Sequence, residues 1–158
     1  MIILIEVFCM KGVCKMYGYW ENTTDTKFKT MHSEIIKYYQ CIEYDMKRIY
    51  SAMSSDDYFD CMDMLDGKNW GEILNRLRKL DKSDNDPFFS EEEYALLDEI
   101  RERRNYWCHQ CYLDYVYIEN DFERFERLQR LCRQLENEKN RAYKLHQKMQ
   151  DVYIDYFS

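Results

Sequence analysis

The chain has 158 residues, the size of one ordinary domain, and its 46% apolar and 34% charged residues describe a folded protein rather than a disordered one. Four glycines and one proline are too few to turn an all-β chain every 8–12 residues or so, which leaves a few long helices as the expected architecture. The net charge of −7 counts against a broad basic face for double-stranded DNA, though not against a small basic cleft.

Residues 1–20 fit no clear period, and we expect a poorly defined N-terminal arm there: a short strand, a loose arm or an over-extended start. Met10, Met16 and Met31 are candidate later starts. Met1–Met10 is apolar but too short to span a bilayer, and it lacks a basic leader and a cleavage site. No membrane partner is expected. Residues 21–158 read as a single helical domain.

The spacing predicts a first long helix over Thr24–Met53, capped by Thr24 or Asp25. Its apolar positions are Phe28, Met31, Ile35, Tyr38, Ile42, Met46, Ile49 and Met53, close to a heptad seam. A short helix within Ser54–Leu65 should end at Gly67. This stretch carries Asp56, Asp57, Asp60, Asp63 and Asp66 without a base. Trp70–Leu80 predicts another helix with Ile73, Leu74, Leu77 and Leu80 on one side. Asp81–Pro87 is a polar loop. Ser90 and Glu93 form a capping box, with Phe88 or Phe89 stapled to Tyr94, and this helix should run to about Tyr115. The last helix covers roughly Glu119–Tyr156. Its seam is Phe122, Phe125, Leu128, Leu131, Leu135, Ala142, Leu145, Met149, Val152 and Tyr156. Glu138 takes an apolar slot there, so a bend, an exposed end or a partner is expected. Together these make an all-α, up-and-down antiparallel bundle of four to five helices.

Seven cysteines and no secretory signal suggest free thiols in a reducing cytoplasm. Cys108 and Cys111 form a C-x-x-C, but no second pair at trusted spacing accompanies them. Small thiols on a helix are the favoured reading. No metal site and no cofactor are expected.

The segment Glu99–His109 carries the chemistry. It holds Arg104-Asn105 followed by His109, an R-N-x-x-x-H pattern on a helix with a long helix after it. This resembles the HEPN superfamily, whose signature is Arg, four to six residues, then His, with a polar residue commonly after the Arg. The resemblance covers about Thr24–Phe157. It implies a helical bundle, a homodimer and a metal-independent endoribonuclease of the toxin–antitoxin or phage-defence type, with RNA as substrate and an antitoxin protein as a partner. In that reading His109 is the acid/base, Arg104 clamps the phosphate, and Asn105 orients His109 or the substrate. Arg101 and Tyr112 would assist substrate binding. Some antitoxins of the family adenylylate a tyrosine two residues after the His. Here that position is Cys111, and the tyrosine is Tyr112.

Helix geometry adds a constraint. Five residues apart, Arg104 and His109 point about 140° away from each other on one regular helix. Two facing copies of the helix would let each supply one group to a shared cleft, with Tyr106, Trp107 and Tyr112 as the aromatic contact surface. The rival reading is a non-catalytic interaction module in which Arg104 is a structural ion pair, with Glu93 or Asp98 as its partner. A buried, paired Arg104 favours the module; an open cleft with His109 favours the nuclease. Arg124, Arg127, Arg130 and Arg133 read as a solvated face in preference to an RNA-binding stripe. His32 and His146 carry no motif.

Overall fold

Heptad spacing, two capping boxes and the near-absence of breakers produce six helices in a computed structural model. The structure describes the backbone of residues 2–157 apart from 84–85, and side chains of residues 22–156 apart from the same two. The helices are α1 (Ile2–Met53), α2 (Tyr58–Leu65), α3 (Trp70–Asp81), α4 (Glu91–His109), α5 (Leu113–Val116) and α6 (Asp121–Phe157), with no strand among the described residues. The fold is an all-α helical bundle.

Contacts between helices set their directions. Arg78 reaches Asp98 at 2.5 Å and Lys82 pairs with Glu91, so α3 and α4 are antiparallel. Lys148–Glu93, Arg141–Glu99 and Arg103–Glu138 make α4 and α6 antiparallel as well. Along α1 and α6, Lys27–Glu136, Glu34–Lys139 and Asp45–Gln150 climb both helices together. The two longest helices are therefore parallel, and α4 runs against both. Their facing seams, from Phe28 to Ile49 and from Leu128 to Val152, are buried and join one core with Leu65, Ile73, Leu74, Leu77, Leu97 and Trp107.

Several expectations shift by a turn or more. α1 does not begin at Thr24: its backbone is helical from Ile2, so Thr24 and Asp25 cap nothing. Asp25 instead pairs with Lys29 and accepts from the Tyr115 hydroxyl at 3.0 Å. The side chains of the N-terminal arm lie outside the described residues. Tyr39, not Tyr38, is the fully buried tyrosine of the α1 seam. α4 stops at His109 rather than Tyr115, and Gln110 and Cys111 both donate to the Tyr106 carbonyl. The Cys111 bond spans five residues instead of four, and this wider closing turn ends the helix without a glycine. Gly67, with φ of 70°, ends the α2 segment as its position suggested. Phe122 and Tyr156 at the ends of the α6 seam are half-exposed, at 54% and 45%.

Of the outcomes expected at Glu138, a bend, an exposed end or a partner, the fold contains the partner: α6 is one continuous helix and Glu138 is met from inside the bundle. Its carboxylate accepts from Arg103 Nε at 2.9 Å, from the Trp107 indole and from the Tyr39 hydroxyl at 3.4 Å. Burial and this neighbouring carboxylate push the ionisation of Tyr39 far up, so it stays a donor.

A fully buried acid holds the entry to α4. Asp81 is fully buried and accepts from the amides of Phe88 and Phe89, at 2.8 and 3.2 Å, and from the Tyr94 hydroxyl at 2.7 Å. The Ser90–Glu93 capping box then starts the helix, and Phe89 packs edge-on against Tyr94 as the staple. Replacing Asp81 by Ala should cost about 3 kcal/mol, because buried donors are left without an acceptor. Urea unfolding measures this, and a loss below about 1 kcal/mol would show that water takes over these donors.

Candidate functional site

Arg104 occupies a position on the apolar stripe of α4, and the fold resolves that conflict at the edge of the core. Its guanidinium lies 5.8 Å from the centre of the buried Trp70 ring and 3.1 Å from a Glu43 carboxylate oxygen on α1. The partner is thus Glu43 rather than Glu93 or Asp98. Those two pair with Lys148 and with Arg78. The ion contact is poorly aligned, and Arg104 donates no aligned hydrogen bond among the described residues. Arg103 and Arg141, by contrast, each place two nitrogens on a carboxylate. Gln40, Glu43, Tyr44, Lys47 and Arg104 line an open cleft of about 320 Å³.

His109 is not in that cleft. It is the last residue of α4, exposed, with no partner among the described residues. Asn105, one turn earlier on the same face, is also exposed. One chain therefore brings Asn105 and His109 together and sends Arg104 towards α1. The divergence expected from helical geometry is what the fold contains.

The two residues expected to assist are elsewhere. Arg101 lies 3.8 Å from Asp98 and packs where any side chain on Gly71 would crowd it, at 3.2 Å. Tyr112 has left the helix. Its half-buried ring meets Phe28 and His32 edge-on, at 5.5 and 5.2 Å, well down α1 from Glu43. Trp107 is fully buried, and the Tyr106 hydroxyl donates to Asp114 at 2.8 Å. The aromatic surface expected for pairing two copies of α4 is therefore mostly inside the bundle. The solvent-facing positions in the C-terminal half of α4 are polar instead: Glu102, Asn105, Cys108 and His109.

The other chemistry-bearing groups have structural duties. Cys111 is buried, contacts the Trp107 carbonyl and has its thiol pushed up to about 11 by burial, which keeps it protonated. Cys108 beside it is exposed. No group of three or more metal-ligating side chains occurs among the described residues, and no helix there is long and apolar enough to cross a membrane. On α6, Arg124 pairs with Asp121 at 2.7 Å and Arg127 with Asp114 at 2.5 Å, while Arg130 reaches a carbonyl of its own helix.

Sequence reasoning missed both remaining histidines. His32 Nε2 lies 2.7 Å from the Trp107 carbonyl, an acceptor only, so Nε2 carries the proton. His146 Nδ1 lies 2.8 Å from Asp45, a carboxylate only 2% exposed that also accepts from Gln150 at 2.6 Å. Asp45 follows the α1 seam by three residues and His146 follows Leu145 on the α6 seam. That flanking register was the available signal. Glu43, next to Ile42, sits in the same kind of flanking position. Comparison with known protein families, curated proteins and solved structures finds no match to this chain.

Proposed function

We propose that the chain is a metal-independent endoribonuclease that acts as a homodimer, with RNA as substrate. The carrying observation is that Asn105 and His109 share an exposed, unpartnered face at the end of α4, while Arg104 keeps free donors in an open cleft against α1. Cleavage beside a 2′-hydroxyl needs a base for that proton, an acid for the leaving 5′-oxygen and positive charge on the phosphorane. His109 supplies the proton transfers, since an imidazole offers one nitrogen to accept a proton and one to donate it. Arg104 supplies the charge and Asn105 orients the imidazole or the substrate. A second copy provides the His109 that one chain cannot aim at its own Arg104. The setting is a cytoplasmic toxin or phage-defence effector with an antitoxin protein as regulator. Control by tyrosine adenylylation would fall on Tyr112, whose half-buried ring is poorly placed for it.

The second reading is a non-catalytic interaction module, favoured by the Arg104–Glu43 ion contact and by solvent-facing aromatics such as Phe59 and Tyr117, 74% and 77% exposed. Expression of wild type beside His109→Ala separates the two. The nuclease reading expects wild type to slow growth and fragment RNA, and His109→Ala to do neither. Cleavage should survive EDTA. Equal RNA integrity in both cultures would favour the module.

A further inference from the structure

Arg104, like Arg101, has a carboxylate beside it that it does not grip, but Arg104 alone of the two lines a cleft with a second cation. Its side chain is 33% exposed and that of Glu43 is 22% exposed, so neither is a freely solvated surface group. A guanidinium has five donors in a fixed fork and binds oxygen anions best two at a time. Glu43 meets one nitrogen of that fork, out of line. The same cleft holds a second cation. Lys47 has a side chain only 15% exposed, and its ammonium makes a long 3.4 Å contact to Asp66, whose own side chain is 87% exposed. Gln40 and Tyr44 add exposed polar groups to the rim. The Trp70 indole nitrogen under Arg104 is buried without a partner.

We propose that this cleft is a binding site for a nucleic-acid phosphate, and that Glu43 is its built-in competitor. In the empty cleft Glu43 neutralises Arg104 at the low cost of one misaligned contact. A phosphate takes the fork in two-point geometry, Lys47 adds a point charge, and the Glu43 carboxylate swings out to solvent. The residues specify the chemistry: the two non-bridging oxygens of a diester on an RNA strand can meet the Arg104 fork and the Lys47 ammonium together, whereas Glu43 meets one nitrogen of Arg104 alone. This deepens the ribonuclease reading by assigning its clamp a regulator, and it rests on that reading for the choice of an RNA ligand.

Binding is measured by fluorescence anisotropy with a labelled single-stranded oligoribonucleotide bearing 2′-O-methyl sugars, which cannot be cleaved. Glu43→Gln should bind about five- to tenfold tighter than wild type, the scale of removing one partly screened competing charge. The gain should vanish in Glu43→Gln combined with Arg104→Ala, and excess inorganic phosphate should compete with the strand. Lys47→Ala should bind several-fold more weakly. If folded Glu43→Gln binds no tighter, or the double variant keeps the gain, the gate is wrong. If Glu43→Gln does not fold, unchanged affinity in Lys47→Ala overturns the phosphate site. A parallel assay with unmodified RNA keeps the readings apart: tighter binding without cleavage retains the gated site and removes the ribonuclease.

Discussion

Glu138→Ala should destabilise the bundle by about 3 kcal/mol, on the scale of losing Asp81. The carboxylate is the shared acceptor of three donors from two other helices: the Arg103 guanidinium, the Trp107 indole and the Tyr39 hydroxyl. Trp107 and Tyr39 are almost fully buried, so neither finds water when the acceptor goes. Each stranded donor costs about 1–3 kcal/mol. Arg103 is 39% exposed and turns to solvent, so its share is small. Tyr39→Phe should cost under about 1 kcal/mol, because its bond is long and no donor is left behind. Urea unfolding of both variants decides. If Glu138→Ala falls no further than Tyr39→Phe, Glu138 is not the hub of the bundle.

The parts of the fold that depend on local sequence were legible, and those that depend on cross-chain pairing were not. The α1 seam from Phe28 to Ile49 is set by spacing and packs as the spacing implies, apart from Tyr39 taking the place expected for Tyr38. The Ser90–Glu93 box and the Phe89–Tyr94 staple lie within five residues of one another, and both form. Asn69 and Glu72 make a second box of the same pattern that sequence reading passed over. Glu138 in an apolar slot was visible as an anomaly, but its three donors come from residues 31 to 99 positions away. No single-sequence periodicity connects those positions. Asp45 and Glu43 were invisible for the same reason, since their partners His146, Gln150 and Arg104 lie 61 to 105 positions away. The site was legible as residue types and as a divergence of directions. The end of α4 at His109 was not, because Gln110 is an ordinary helix residue and the stop comes from the packing of Cys111 and Tyr115 behind it.

Mixing two inactive variants should restore RNA cleavage that neither has alone. Arg104→Ala and His109→Ala should each lose about 10²-fold or more in rate, the usual worth of a phosphate clamp and of an acid/base. Along α4 the two groups are separated by about 7.5 Å of rise and about 140° of rotation. Arg104 is turned to Glu43 on α1, while His109 stands at the exposed end of the helix. One chain would have to unwind the last turn of α4 to converge them, against Trp107 and Cys111, which anchor that turn in the core. A two-fold axis beside Asn105 and His109 avoids that distortion by bringing the histidine of one copy to the arginine cleft of the other. Such a dimer has two composite sites. In a heterodimer of the two variants one site loses both groups and the other keeps both, so up to half of the wild-type rate per dimer returns. The facing surface is polar rather than aromatic, since Trp107 is inward. The association should therefore be modest in affinity and weaken with salt if the Arg104 and Glu102 charges contribute. Light scattering gives the mass, and a titration of one variant into the other gives the recovered rate. A monomer that cleaves at full rate, or mixed variants that stay inactive although they associate, would show that each chain carries its own complete site or none.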